Sequence, residues 1–235
     1  MNSQGGNRSK ERANREMFAE IAPRYDLINR LMSWGQDNRW RRVAVGIACP
    51  GQGRVLDVAT GTGDMALELA RHTDSVVGLD LCQEMLSRGR TKTEKKGLRS
   101  SVDFIVGDAL ALPFGDNSFD CALNGFALRN VSDINLFLSE LRRVVKPGGR
   151  VVCLELVRQA SGIVGTFYRF YLNRIVPVLG GCFSGDGKAY RYLPDSVGCF
   201  LSIAEFQKMM EGVGFRQVGY RSLNLGTIAV HVGVK

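Results

Sequence analysis

Five short apolar runs punctuate residues 54–157: RVLDVA (54–59), SVVGLD (75–80), VDFIVGD (102–108), FDCALNGF (119–126) and RVVCLELV (150–157). Runs of this length, rich in β-branched residues, read as buried strands. Helix signals fill most of the gaps. Asp64 stands before MALELARH as a cap, CQEMLSRGRTKTEKKG runs to a glycine stop at Gly97, and Ser132 or Asp133 starts INLFLSELRRVV, which Lys146-Pro147-Gly148-Gly149 ends. Parallel neighbours need crossover connections, so alternating strands and helices predict a mostly parallel sheet covered on both faces. After Pro194 a helix, IAEFQKMMEGVG (203–214), and two strands, FRQVGYRSL (215–223) and GTIAVHVGV (226–234), bring the strand count to seven. The predicted class is therefore α/β, Rossmann-like and doubly wound. At 235 residues the chain fills one core, and a single domain spans 1–235. Residues 158–200 fit the alternation poorly and read as an insertion of helix and loop.

The run VLDVATGTGD (55–64) joins the first strand to the first helix. Gly61 and Gly63 permit close backbone approach, and the following helix N-terminus offers free N–H groups, which together make a nucleotide-binding turn. Gly61-Thr62-Gly63-Asp64-Met65-Ala66 satisfies GxGxxA, so a dinucleotide remains open. Three acids point elsewhere. Asp57, four residues before Gly61, can accept a hydrogen bond from an ammonium group; with Asp64 it would repel a pyrophosphate but suit a zwitterionic methionine moiety. Asp80 ends the second strand, where a carboxylate can take ribose hydroxyls, which alone does not tell the two ligands apart; Asp108-Ala109 closes the third, a position that resembles the adenine-binding corner of class I methyltransferases. Each acid alone reads as a cap or turn residue. All three at successive strand ends read as an S-adenosylmethionine site, because ligands of such sheets bind at the carboxyl ends of the strands.

Charge and cysteine usage narrow the partners. The net charge of +8 divides into +4 over residues 1–50, −1 over 51–157, +4 over 158–191 and +1 over 192–235. The two basic segments can draw anionic headgroups, nucleic acid or acidic ligands; the plainer reading is a soluble surface. Cysteines at 49, 82, 121, 153, 182 and 199 form no CxxC pair and no cluster with histidine, which reads as free thiols in a reducing compartment and no metal site. The N-terminal MNSQGGNRSKERANRE lacks the apolar core of an export signal, and the longest apolar stretch, 163–180, carries Arg169 and Arg174 in its middle. The expected location is the cytoplasm.

Several segments resemble the ubiquinone/menaquinone biosynthesis C-methyltransferases: RYDLINRLMSWGQDNRW (24–40), VLDVATGTGD, ALPFGDNSFDCALNGFALRNVSD (111–133), RRVVKPGGRVVCLEL (142–156), YRYL (190–193) and the terminal GTIAVHVGVK. The likeness runs from about residue 16 onward. Its glycine turn is common to class I methyltransferases; the Tyr25-to-Ser33 segment, Leu128-Arg129-Asn130 and YRYL are more diagnostic. The resemblance implies that Thr62, Asp80, Asp108 and Ala109 contact S-adenosylmethionine, with Asp57, Gly61 and Gly63 completing the cradle. Departures include Asp37 where histidine is frequent, Ile28 for methionine, Val157 for serine, and Gly125 for a serine able to touch the cofactor.

The reaction so implied is C-methylation of a polyprenyl quinol, demethylmenaquinol to menaquinol, with a 2-methoxy-6-polyprenyl benzoquinol as the alternative acceptor. A ring carbon is nucleophilic once an adjacent hydroxyl has lost its proton, and a phenol titrates near pH 10, so the site must favour the phenolate. Arg129 is the candidate cation, against a reading as a surface salt bridge. Asn130 and Tyr25 join it as catalytic candidates, with Asn124 and Tyr190 as further orienting groups; His231, Asp26, Asp37 or water can serve as base. By the same resemblance residues 1–50 form a helical substrate cover. Arg158, Arg169 and Arg174, interleaved with Ile163, Phe167, Phe170, Tyr171, Ile175 and Val178, make an amphipathic stretch suited to transient contact with an anionic membrane surface. A homodimer is the other partner expected. Two readings from other classes compete. An NAD-dependent oxidoreductase explains GxGxxA but not Asp57 or Asp108; a nucleic-acid-binding protein explains the basic charge, yet no basic, aromatic-rich binding module is present and no nucleic acid is expected.

Overall fold

The strand order is β3-β2-β1-β4-β5-β7-β6 in a single seven-stranded sheet. The computed structural model describes residues 14–48, 53–158, 163–176, 196–198 and 200–235. The strands are β1 (Val55–Val58), β2 (Val76–Asp80), β3 (Val102–Val106), β4 (Phe119–Gly125), β5 (Val145–Leu156), β6 (Arg216–Leu223) and β7 (Ile228–Val234). The helices are α1 (14–21), α2 (Tyr25–Met32), α3 (Asp37–Ala48), α4 (Asp64–Leu69), α5 (Gln83–Lys95), α6 (Ile134–Val144), α7 (Ile163–Phe170), continued by a π-helical turn at Tyr171–Ile175, and α8 (Ile203–Val213).

All four residues of β1 are buried, as a central strand covered on both faces must be. It pairs in parallel with β2 on one side (Val55 with Val76) and with β4 on the other (Val55 with Cys121). The chain winds outward from β1 through β2 to β3, then returns to β4 and β5. The crevice therefore opens at the carboxyl ends of β1 and β4, where the winding reverses. β7 runs antiparallel between β5 and β6, so the predicted doubly wound, mostly parallel sheet stands. One face packs Phe137, Leu138 and Leu141 of α6 with Phe206 and Met210 of α8. The other packs Ala44, Val45 and Ala48 of α3 with Met65, Ala66 and Leu69 of α4. Ile21, Ala22 and Ile28 seat the N-terminal helices on Cys82 and Met85 at the start of α5.

Two local expectations change, and the choice of cap for one helix is settled. Gly63, at φ 80°, is the N-cap of α4, and Asp64 is its first residue, so the carboxylate is turned to Lys92 and Arg41 instead of capping. Helix α6 starts from Asp133, whose side chain accepts from the Leu136 N–H, and ends at Val144. The Lys146-to-Gly149 run does not close the helix; it is a bulge inside β5, where two residue steps on β4 (Phe119 to Cys121) face five on β5 (Val145 to Arg150). Gly149 permits that bulge, since a Cβ there would lie 2.5 Å from both the Asp120 carbonyl oxygen and Val145 Cγ1.

Candidate active site

Turns at the carboxyl ends of β1 to β4 wall a cavity that contains Ala59, Gly61, Asp80, Asp108, Ala109, Gly125 and Phe126. Asp80, the last residue of β2, is gripped by backbone: Gly61 N–H donates to its Oδ2 at 2.8 Å and Cys82 N–H to its Oδ1 at 2.9 Å. Burial holds its carboxyl above the ordinary value, against those N–H groups. Asp108 Oδ1 accepts from Leu110 N–H at 2.8 Å. Ala59 (φ 55°) and Phe126 (φ 61°) adopt left-handed conformations that non-glycine residues seldom take, and such strain concentrates at functional sites. From the N-terminal side Asn14, Arg15, Phe18 and Tyr25 close the cavity.

Of the predicted cofactor residues, Gly61, Asp80, Asp108 and Ala109 line this cavity; Asp57, Thr62 and Gly63 stand behind its wall. Asp57 is 1% exposed. It accepts the Thr60 hydroxyl at 2.5 Å, so it braces the turn from beneath, and burial pushes its carboxyl up to about 7. Thr62 points its hydroxyl at Asp26 and receives Lys92 Nζ at 3.0 Å. Gly63 is required by packing: a Cβ there would sit 2.8 Å from Phe104 Cζ, and Gly78 and Gly89 admit the same ring. The lining suits S-adenosylmethionine: Asp80 can accept from a ribose diol, and Asp108 with Ala109 stands by the expected adenine edge. Asp80 fits the ribose of a dinucleotide as well, whereas a pyrophosphate would find Arg15 as the one basic residue among the described lining residues.

Beside it lies a larger cavity of about 580 Å³. Residues of α1 to α3 form one wall, Phe167, Tyr168, Tyr171, Leu172 and Val176 another, and residues 126, 129, 130, 156, 224, 225, 227 and 228 the remainder. Tyr171 is tied to α2 by its hydroxyl, which donates to the Met32 carbonyl at 2.6 Å. The two cavities share Phe18, Tyr25, Phe126 and Asn130. Two of the three catalytic candidates, Tyr25 and Asn130, thus stand where the cavities meet. Burial raises the Tyr25 phenol, with the Arg41 charge the strongest opposing influence.

Arg129 lines the larger cavity, but not as a surface salt bridge. Its Nε donates to Glu155 Oε1 at 2.8 Å with both side chains buried, and Nη1 donates to Ser196 Oγ at 3.1 Å. Asn124 is turned into the sheet, its Nδ2 donating to the Val58 carbonyl at 2.7 Å, and lies outside both cavities. His231 is removed from the base candidates: it is buried between Phe206 and Tyr220, bonded to the Ile203 carbonyl, and desolvation lowers its pKa to about 4. Asp26 is occupied by Thr62 and Lys92. Asp37 does line the larger cavity, held by Arg41, Arg30 and Ser33. Tyr190 and the rest of YRYL lie outside the described residues, as does Val178. Sequence reasoning passed over Arg41, Trp40 and Phe126, which meet at the junction: Trp40 is edge-on to Phe126 at 6.2 Å and Arg41 Cζ is 5.7 Å from the same ring centre. The available signal was Asp37 and Arg41 one helical turn apart.

The ubiE/COQ5 methyltransferase family profile matches residues 7–235. The chain is 49% identical over 220 residues to a demethylmenaquinone methyltransferase of Thermus thermophilus, covering 92% of this chain and 99% of that protein. It is 46% identical over 225 residues to a ubiquinone/menaquinone biosynthesis C-methyltransferase of Geobacter sulfurreducens, covering 94% and 88%. Among solved structures, a SAM-dependent methyltransferase from Aquifex aeolicus superposes with a TM-score of 0.62 at 21% identity over 88% of this chain and 96% of that one. A Haemonchus contortus phosphoethanolamine N-methyltransferase in complex with S-adenosyl-L-methionine gives 0.63 at 15% identity, over 89% and 56%. These two show the fold alone. The profile and the close relatives show more: the chain belongs to the ubiE/COQ5 methyltransferase family, as an S-adenosylmethionine-dependent C-methyltransferase of quinone biosynthesis.

Proposed function

We propose that the methyl acceptor is demethylmenaquinol, bound in the 580 Å³ cavity, and that the benzoquinol of the ubiquinone pathway is the second acceptor class. The observation that carries this reading is the shared wall of Phe18, Tyr25, Phe126 and Asn130, which lets a flat ring in the apolar cavity face a cofactor held by Gly61, Asp80 and Asp108. Bound S-adenosylmethionine supplies an already activated methyl, so the protein's task is to place the ring carbon in line, favour its phenolate form and exclude water. Of the predicted cover and insertion, the described parts, α1 to α3 and Phe167, Tyr168, Tyr171, Leu172 and Val176, wall the cavity, which supports their role in enclosing the acceptor.

The same reading places the protein in the cytoplasm with the cavity mouth against a membrane. Trp34, Phe167 and Leu225 line the cavity yet are 78%, 71% and 82% exposed, an arrangement suited to a prenyl tail entering from lipid. Arg169 and Arg174 stand exposed on the same helical stretch as Phe167. No helix among the described residues is long and apolar enough to cross a membrane. Cosedimentation with anionic but not neutral vesicles at low salt tests the contact.

The reaction itself is tested by incubating the purified chain with S-adenosylmethionine and a chemically reduced, short-prenyl demethylmenaquinone. The expected product is heavier by one methylene, with the methyl on ring carbon. Methylation on oxygen, or turnover of the benzoquinol alone, would overturn the assignment.

A further inference from the structure

Two guanidinium groups reach the acceptor cavity, and they are not equivalent. Arg129 is held on three sides: Nε by Glu155, Nη1 by Ser196 Oγ and Nη2 by the Phe126 carbonyl at 3.4 Å. Each guanidinium is paired with a buried carboxylate, Glu155 for Arg129 and Asp37 for Arg41, so the difference lies in which donors are engaged. Arg41 is held from one corner. Among the described residues its ion pairs run through Nη1, to Asp37 Oδ2 and, at 3.8 Å, to Asp64 Oδ2. A guanidinium has five N–H donors in a planar fork, and the ion pairs of Arg41 engage Nη1, which leaves Nε and Nη2 for a ligand in the cavity that this largely buried side chain lines. Its Cζ lies 5.7 Å from the Phe126 ring centre, and Phe126, like Tyr25, belongs to both cavities. The charge is thus at the junction, where the ring oxygen next to the reacting carbon must sit.

We propose that Arg41, and not Arg129, is the catalytic cation that holds the deprotonated ring oxygen of the acceptor. The inference rests on the acceptor reading above and adds to it the group that makes the ring nucleophilic. The hydroxyl proton leaves to water, and the oxygen anion stays beside the Arg41 fork. The ring carbon gives its electron pair to the methyl carbon; the new C–C bond forms as the sulfur–methyl bond breaks, with that pair remaining on sulfur. The ring carbon then loses its hydrogen to water as a proton, the oxygen regains one, and aromaticity returns with one proton released overall. The Tyr25 phenol at the junction is held up by burial, and the Arg41 charge opposes this more than the Arg129 charge does.

The titratable and charged groups facing a bound ring are Tyr25 from α2, Asp37 and Arg41 from α3, Arg129 with its Glu155, and Tyr168 and Tyr171 after β5. The probe is 1-naphthol, whose ionisation is read by absorbance without redox chemistry, added to the protein saturated with S-adenosylhomocysteine. An opposite charge within about 4–6 Å lowers a pKa by roughly 1–3 units. Naphthol bound to the wild-type complex is expected to ionise at least one unit below free naphthol, Arg41→Gln to abolish that depression, and Arg41→Lys to keep part of it. Asp37 retains Arg30 and Ser33 in the Arg41→Gln variant, and S-adenosylhomocysteine affinity within threefold of wild type confirms its fold. Equal naphthol ionisation in wild type and Arg41→Gln overturns the role of Arg41 and leaves the acceptor site standing. Failure of naphthol to bind the wild-type complex saturably overturns the acceptor reading and this inference with it.

Discussion

Asp57→Asn should make the protein more stable, and by an amount that grows with pH. Burial pushes the Asp57 carboxyl from 3.8 up to about 7, because neither the Thr60 hydroxyl nor the more distant Arg41 charge offsets desolvation. A group whose folded pKa lies above its unfolded one contributes stability that is present below pH 3.8 and lost as pH rises to about 7. At about 1.4 kcal/mol per unit, the full loss is roughly 4 kcal/mol. His231 has the opposite sign. Desolvation lowers it from 6.5 to about 4, so its stability is present above pH 6.5 and lost as pH falls through 4, a loss of roughly 3 kcal/mol. The two slopes oppose each other over nearly the same window and hide one another in wild type. Asparagine keeps the shape and an oxygen for Thr60 but removes the titration. The stability difference between Asp57→Asn and wild type should therefore widen by about 3 kcal/mol between pH 5 and pH 8, a further gain of about 6–12 °C in Tm for a domain of this size. Guanidinium unfolding of both proteins at the two pH values measures it, and other titrations cancel in the difference. A difference that is the same at both pH values would refute the assignment of a neutral, buried Asp57.

Breaking the buried Arg129–Glu155 pair with Glu155→Gln should cost about 3–5 kcal/mol in chemical denaturation, and Arg129→Met/Glu155→Gln should recover at least half of it, because the cost is an uncompensated buried charge; a double variant no better than the single one contradicts this. Gly63→Ala should destabilise by about 2–4 kcal/mol, since its Cβ would meet Phe104 Cζ at 2.8 Å in a φ of 80°, and Phe104→Leu should relieve part of that cost in a double-mutant cycle. Asp80→Ala should weaken S-adenosylhomocysteine binding by about tenfold or more in calorimetry, through loss of a charged acceptor that also holds the Gly61 and Cys82 N–H groups; unchanged affinity removes Asp80 from the cofactor site.

The sheet, and the placing of Gly61, Asp80 and Asp108 on one cavity wall, were legible because each depends on residues adjacent in sequence. A strand of four buried residues, its turn and an acid at the end of the next strand are local facts, and parallel topology then brings Gly61, Asp80 and Asp108 to one edge. What failed was anything set by a distant partner. Gly63 was read as room for a ligand, but the space belongs to Phe104 on β3. The Lys146-to-Gly149 run carries every sign of a helix stop, and only its pairing with β4 reveals a bulge. Asp57 was assigned to the ligand because nothing in VLDVATGTGD tells that α3 and α4 cover that face of β1. The acceptor cavity draws on separated stretches of chain: Tyr25, Arg129 and Asn130 were legible through the family resemblance alone, and Trp40, Arg41 and Phe126 were not legible at all.

Arg129 and Arg41 show why the catalytic cation is the last thing a sequence yields. Each is an arginine beside an asparagine or an aromatic residue, and by residue type alone Arg129 is the better choice. Whether a charge is available to a substrate is a property of a pair, not of a residue. Glu155, 26 positions away on β5, joins Ser196 and the Phe126 carbonyl in engaging Nε, Nη1 and Nη2 of Arg129. The partners of Arg41 engage one corner of its fork, and one of them, Asp64, opens the helix that follows the cofactor turn and is itself held by Lys92 at 2.6 Å. Lys92 also reaches Thr62 in that turn and Asp26 in the N-terminal cover. The cation facing the acceptor, the turn facing the cofactor and the helices closing over both are thus joined by one chain of ion pairs.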